Sequence, residues 1–154
     1  MPNHCQNDVI FSHKDPKMTA RLLDAAERGE LFEEFVPTPK TDDDSWYAFH
    51  IENWGTKWDA YNTLTIQHPE SDKIIVSFTT AWNPPIQWYE KMAALDFQIE
   101  ALYNEPGMCF CGIWNNEEGD FSIDYHSMTA NQAREVIPSE LDDQYNIVEF
   151  LEEA

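Results

Sequence analysis

Apolar residues recur along the chain with two spacings, which divide it into candidate strands and helices. Short β-prone runs or alternation of apolar and polar positions indicate the strands, and turn-forming residues separate them. The predicted strand segments are 7–13, 63–67, 73–82, 97–103, 108–114 and 119–125. A turn cluster at 69–72 precedes the third of these strands. Residues 115–118, between the last two strands, fit either a hairpin loop or a bulge within one long strand.

Helical spacing is present in three stretches of the chain. The first helix is predicted over Asp15–Arg28, because Asp15-Pro16 has the sequence of a helix start and Gly29 of a helix stop. The second is predicted over 84–95, opened by two prolines. From Thr129 the pattern is helical but interrupted, and it restarts at Pro138. The last part carries an apolar stripe of Leu141, Tyr145, Val148 and Leu151.

The order of these segments predicts an α+β fold of the ferredoxin-like, split βαβ type. One antiparallel sheet is expected, with the helices 15–28 and 84–95 packed on one face, because each must bury its apolar stripe. Residues from about 32 to 62 are expected to form an insertion or loop. Residues from about 129 to 154 are expected to form an acidic C-terminal helical segment. Since no long linker or repeat divides residues 1–154, a single domain is predicted.

Charge bears on which partners the protein can have. The chain has 29 acidic and 9 basic residues, for a formal net charge of −20. From Met92 onward, fourteen acids stand against a single base, Arg134. DNA, RNA and anionic membrane surfaces would be repelled, so we expect neither direct nucleic-acid binding nor membrane binding. The same charge also suits a protein whose acidity serves only its solubility.

The sequence gives some indication of the compartment. No apolar run approaches the roughly 20 residues that span a bilayer. The N-terminus lacks the positive start and apolar stretch of a signal peptide. We therefore expect the protein in the cytosol of its host cell. Three cysteines, an odd number, then suggest reduced thiols rather than disulfides.

Two groups of residues are candidates for metal binding. Paired carboxylates such as Glu117-Glu118-Asp120 and Asp142-Asp143 suit calcium, but the EF-hand loop is absent and charge runs are usually solvated. Cysteine and histidine are the other candidate. Cys109 and Cys111 stand two apart on a predicted strand, so their thiols are expected on the same side of the sheet. Together with Cys5 and His4 they match a zinc donor set of three sulfurs and one histidine. Buried core cysteines explain the same residues, and no Cys-x-x-Cys knuckle is present. No nucleophile–base–orienter set accompanies the scattered histidines. The prediction is no metal, no cofactor and no enzymatic activity.

Aromatic residues are concentrated around Trp54, Lys57 and Trp58, with Trp82 further along the chain. Two tryptophans flanking a lysine suit a platform for a base, a sugar or a cation. Large aromatics more often fill a core, and Gly55 gives the backbone a turn that a side chain would forbid. The motif is therefore interpreted as mainly structural.

Four segments together resemble a known family. They are Met1-Pro2-Asn3-His4-Cys5-Gln6-Asn7, Asn53-Trp54-Gly55-Thr56-Lys57-Trp58-Asp59-Ala60, Thr80-Ala81-Trp82-Asn83-Pro84-Pro85 and Tyr103-Asn104-Glu105-Pro106-Gly107. In this combination they resemble the YubB ferredoxin-like domain family of Api92-like plasmid and phage proteins. His4 departs from the pattern, which has Trp before the cysteine. The resemblance implies a ferredoxin-like fold and a mobile-element origin, and it implies no activity or catalytic residue.

These observations favour a protein that works by binding. We expect an inhibitor or decoy whose carboxylates occupy the basic groove of a host nucleic-acid-handling or defence protein. The predicted contacts are Glu117, Glu118, Asp120, Asp124, Asp142, Asp143, Glu149, Glu152 and Glu153. The alternative is a non-catalytic binding module whose site is the Trp54 and Trp58 motif and whose charge is incidental.

Overall fold

The computed structural model describes residues 3–41, 43–67 and 72–153. Six strands form one sheet, and every neighbouring pair of strands is antiparallel. The strands are β1 His4–Ser12, β2 Tyr61–Gln67, β3 Ile74–Ala81, β4 Gln98–Glu105, β5 Phe110–Asn115 and β6 Gly119–Asp124. Their order across the sheet is β2-β3-β1-β4-β5-β6. Met1 and Pro2 of the opening motif, and most of the predicted turn cluster 69–72, lie outside the described residues.

Seven helices are found in these ranges. They are α1 Pro16–Arg28, α2 Leu31–Phe35, α3 Ser45–Asn53, α4 Ile86–Ala94, α5 Ala130–Val136, α6 Ser139–Tyr145 and α7 Ile147–Glu153. The first four strands with α1 and α4 form the split βαβ unit, so the predicted α+β, ferredoxin-like fold is confirmed. The hairpin β5–β6 extends the sheet beyond that unit.

One face of the sheet is covered by α1 and α4. Leu22 of α1 and Trp88 and Met92 of α4 pack with strand residues such as Val9 and Val76 in the larger hydrophobic core. The helix α1 begins as predicted, because the Asp15 side chain accepts a hydrogen bond from Lys17 N and Pro16 opens the first turn. It ends at Gly29, whose φ of 74° is left-handed.

The other face is only partly covered. The helices α5 to α7 pack over β4 to β6, where Cys111 and Tyr125 meet Ala133, Leu141 and Ile147 in a second core. The sequence did not predict this placement on the opposite face. Among the described residues, no helix packs over the part of this face formed by β2 and β3, and α6 reaches β1 through Tyr145.

Two of the predicted segments hold more elements than the sequence indicated. Residues 32–62, predicted as an insertion or loop, hold most of α2 and all of α3 as well as the start of β2. The pattern gave no sign of α3 because none of its residues is buried, so it has no apolar stripe. The C-terminal segment is three short helices, since Pro138 precedes α6 and Asn146 turns the chain with a φ of 53°.

Residues 115–118 form the turn of a β5–β6 hairpin, in which Asn115 pairs with Gly119. Within the ranges that the structure covers, no helix combines the length and the hydrophobicity needed to cross a bilayer.

Candidate functional site

Strand register places one row of side chains across the open part of the sheet. Ile66 of β2 pairs with Ile75 of β3, and Ile75 pairs with Ile10 of β1. Ile10 in turn pairs with Glu100 of β4. Because paired residues point to the same face, three isoleucines and one glutamate lie side by side on this surface. Leu64, two residues before Ile66 on β2, points to the same face and extends this surface. We call Leu64, Ile66, Ile75 and Ile10 the apolar row.

A groove of about 730 Å³ runs along this face beside the apolar row. Its floor is formed by β3, β1, β4 and β5, and its rim by the β5–β6 turn and the start of α6. Its acidic lining residues are Asp8, Glu100, Glu117, Glu118 and Glu140. Lys73 is the single base among the described residues that line it. We refer to this feature as the acidic groove.

Asp8 differs from the other acids of the groove because its carboxylate has partners. Ser77 Oγ donates to Asp8 Oδ1 at 2.6 Å, and Tyr145 Oη donates to Asp8 Oδ2 at 2.7 Å. Burial, followed by the nearby Asp8 charge, raises the pKa of Tyr145, so its hydroxyl stays protonated and donates. The hydrogen bond from Tyr145 to Asp8 joins α6 to β1, in the middle of the sheet. It marks the boundary of the area that α5 to α7 cover.

The other four carboxylates accept no hydrogen bond and form no ion pair with any described residue. These are Glu100, Glu117, Glu118 and Glu140, and all are exposed. The turn that carries Glu117 and Glu118 is held by their backbone N–H groups, which donate to Asn115 Oδ1 at 3.0 and 2.8 Å. The acidic groove therefore presents four carboxylates without a described partner, from the strand β4, a fixed turn and the start of α6.

The structure divides the predicted strand contacts between two faces. Glu117 and Glu118 line the acidic groove. Asp120 and Asp124 project from the other side of β6. Asp120 Oδ1 accepts a hydrogen bond at 2.6 Å from Tyr103, which packs on the side of α1 and α4. The four residues therefore do not form one surface.

The predicted contacts on the C-terminal helices are also dispersed. The Oδ1 atom of Asp142 accepts a hydrogen bond from Val148 N at 2.9 Å, so this carboxylate has a structural role. Glu152 forms an ion pair with Arg134. Asp143, Glu149 and Glu153 are exposed on the outer surface of α6 and α7.

Three groove acids were missed by the sequence reasoning, namely Asp8, Glu100 and Glu140. Alternation within β1 and β4 was readable in the sequence and places Asp8 and Glu100 on the outward-facing side of their strands. Which strands lie next to each other was not readable, because the order β3-β1-β4 joins residues distant in the chain. Only the register brings Glu100 beside Ile10.

The aromatic motif has one buried and one exposed tryptophan. Trp54 is 1% exposed, its Nε1 donates to Val36 O at 3.0 Å, and its ring stacks on His50 at 3.7 Å. Trp58 is 40% exposed. Lys57 Nζ lies 4.8 Å from the centre of the Trp58 ring and 5.3 Å from that of Trp82. Trp54 thus belongs to the core, whereas Lys57, Trp58 and Trp82 form a cation–π group at the surface.

The residues that follow Trp54 connect neighbouring segments of the chain. Gly55 has a φ of 87°, in the left-handed region that favours glycine, and a Cβ there would lie 3.2 Å from Ile86 N. Thr56 Oγ1 donates to Ala81 O at 2.7 Å. Asp59 accepts hydrogen bonds from three backbone N–H groups, those of Phe32, Glu33 and Ala60, at 2.7–3.0 Å. We call residues 54–59 the clasp, because they join α2, β3 and α4.

The three cysteines lie apart in the fold. Cys5 projects into the face that α1 and α4 cover, and Cys111 belongs to the second core. Cys109 precedes β5 with a φ of 59°, and its thiol donates to Pro106 O at 3.3 Å. Burial raises the pKa of Cys111 to about 12 and that of Cys5 further. Over the described ranges, no group of three or more His, Cys, Asp and Glu side chains is arranged to hold a metal ion.

Comparisons with known proteins place this fold in a family. A solved structure, that of the protein api92 from Yersinia pseudotuberculosis, is similar at 18% sequence identity and a TM-score of 0.42. The similarity covers 56% of this chain and 32% of that one, so the chain spans about a third of that protein's length. No curated protein matches the chain. The sequence model of the ferredoxin-like domain in Api92-like proteins matches residues 53–150, and the chain therefore belongs to this family.

Proposed function

We propose that this protein acts by binding rather than by catalysis, as an inhibitor that presents carboxylates to a basic nucleic-acid-handling protein. The observation that carries the proposal is the acidic groove, in which Glu100, Glu117, Glu118 and Glu140 have no partner among the described residues. Carboxylates held on strands and a fixed turn resemble the phosphates of a nucleic acid in their charge. A lysine- and arginine-lined site would therefore accept them in place of its nucleic acid.

The wider setting of the proposal follows from the family resemblance. A plasmid or phage protein gains from blocking a host defence nuclease, restriction complex or repressor, all of which bind nucleic acid through basic grooves. The net charge of −20 disfavours DNA or RNA as a direct ligand and speeds the encounter with a basic protein. We propose that this inhibition takes place in the cytosol of the host cell.

The test is capture of partners by the immobilised full chain from a lysate of its native host, at low and at high salt. We expect nucleic-acid-handling proteins to be captured and to be released by salt, because a Debye length of about 10 Å at 0.1 M screens exposed charges. Added DNA or RNA should compete for capture. A variant with Glu100→Gln, Glu117→Gln, Glu118→Gln and Glu140→Gln should lose capture and keep its fold, since it removes only repelling surface charges.

A control variant replaces three outer acids that do not line the groove, with Asp143→Asn, Glu149→Gln and Glu153→Gln. The proposal fails if binding of the identified partner is insensitive to salt and to the groove substitutions. It also fails if nucleic acid and this protein bind that partner simultaneously.

A second candidate function rests on the exposed cation–π group. In it, Trp58 and Trp82 with Lys57 form the site of a binding module, and the acidity is incidental. The same capture experiment separates the two functions. Loss of capture with Trp58→Ala, but not with the groove substitutions, favours the aromatic site.

A further inference from the structure

The apolar row includes large side chains that are mostly exposed on the sheet face. Leu64 is 72% exposed and Ile66 is 56% exposed, and the register continues this surface through the half-buried Ile75 and Ile10. Ile10 and Ile75 also line the acidic groove. Apolar and acidic surfaces therefore adjoin on a part of this face over which no described helix packs.

We propose that this surface binds an amphipathic basic helix of the partner protein, an inference that rests on the proposed function. The apolar side of that helix packs on Leu64, Ile66 and Ile75, and its lysine or arginine side chains reach Glu100 and the acids of the groove rim. The helix completes the layer that α5 to α7 begin on this face.

Dimensions and charge favour this occupant. Neighbouring strands lie about 4.8 Å apart, so the four adjacent strands β2, β3, β1 and β4 present a surface about 15 Å wide. A helix of about ten residues, at 1.5 Å per residue, is long enough to cross it. A second copy of this chain is disfavoured, because its own charge of −20 would face the same acids. A strand added at the outer edge of β2 would pair in the plane of the sheet and leave Glu100 without a contact.

The test uses two synthetic peptides of 14 residues with identical composition, half leucine and half lysine. One has helical amphipathic spacing, and the other is a permutation without an apolar face. Binding to the full chain is measured by titration calorimetry and by amide chemical shifts of the ¹⁵N-labelled protein. We expect the amphipathic peptide to bind at least about tenfold more tightly, with shifts centred on Leu64, Ile66, Ile75 and Ile10.

The double variant Leu64→Ser with Ile66→Ser should weaken binding of the amphipathic peptide by roughly tenfold or more and leave the permuted peptide unaffected. Both positions are mostly exposed, so the fold should persist, as checked by circular dichroism. The control is Leu95→Ser, an exposed leucine at the end of α4 on the covered side of the sheet. The double variant Glu117→Gln with Glu118→Gln should weaken the binding of both peptides.

The outcomes separate this inference from the proposed function. If both peptides bind equally and the double serine variant binds like the wild type, the inference is wrong, and charge-based capture of the host partner can still stand. If neither peptide binds, or if the shifts lie outside the sheet face, the inference is wrong as well. If the double serine variant loses the amphipathic peptide and the control does not, the inference is supported.

Discussion

Replacing Trp54 with alanine tests whether the clasp holds the fold together. The side chain is almost completely buried, packs edge-to-face on Phe32 at 5.6 Å and donates to Val36 O. Truncating a buried aromatic to alanine costs about 3–5 kcal/mol, and the carbonyl left without its donor adds about 1 kcal/mol. For a chain of this length, about 2–4 °C is lost per kcal/mol, so we expect the Tm to fall by roughly 8–24 °C.

Thermal unfolding followed by far-UV circular dichroism measures this effect. Trp58→Ala is the matched control, because that ring is far more exposed and should cost less than about 1 kcal/mol. Trp54→Phe keeps part of the buried area while losing the hydrogen bond, so its Tm should lie between those of the wild type and the alanine variant. It also gives a measurable protein if Trp54→Ala does not fold.

The reasoning would be refuted if Trp54→Ala melted within about 2 °C of the wild type, or if Trp58→Ala were the more destabilised of the two. Either result would mean that the clasp carries little of the stability. An unchanged Tm combined with lost partner binding would instead support the aromatic module as the function.

Two further predictions concern pKa values. Burial raises the pKa of Asp59, so this carboxyl contributes stability below its unfolded pKa that is lost as pH rises through the folded pKa. Urea unfolding from pH 3.5 to 7 should show the wild type losing stability relative to Asp59→Asn as pH rises, and a constant difference contradicts the burial effect. Burial and the raised pKa values of their thiols should make Cys5 and Cys111 unreactive toward a thiol reagent in the folded protein. A thiol reagent at pH 8 should label Cys109 first and the other two only on unfolding; early labelling of Cys111 contradicts this order.

The helices that were predicted with nearly correct bounds are those marked by residues close together in the sequence. The first and fourth helices were predicted at 15–28 and 84–95 and lie at Pro16–Arg28 and Ile86–Ala94. Each combines an apolar stripe with a proline at its start, and such signals depend only on neighbouring residues. The helix α3 was missed because Trp46, Tyr47 and Ile51 are all exposed, so it has no one-sided pattern.

The candidate site was harder to predict because it is assembled from distant parts of the chain. Glu117 and Glu118 were identified from a run of charge, which is a local feature. Ile66, Ile10 and Glu100 become neighbours only through the strand order and register. A single sequence gives the alternation within a strand, but a shift of one residue in register would turn every one of these side chains to the other face.

The position of the charge bears on whether the acidity serves only solubility. The C-terminal helices cover half of the second sheet face, and Tyr145 bonded to Asp8 forms the boundary of that half. At this boundary, the unpartnered Glu100 lies beside Ile10, and Ile75 continues the apolar surface from Ile10 to the exposed Ile66. Acidity spread for solubility alone requires no such neighbour, because an exposed apolar row lowers solubility. A surface that binds a basic partner can use both features, since charge steers the encounter and apolar contact adds to the stability of the complex.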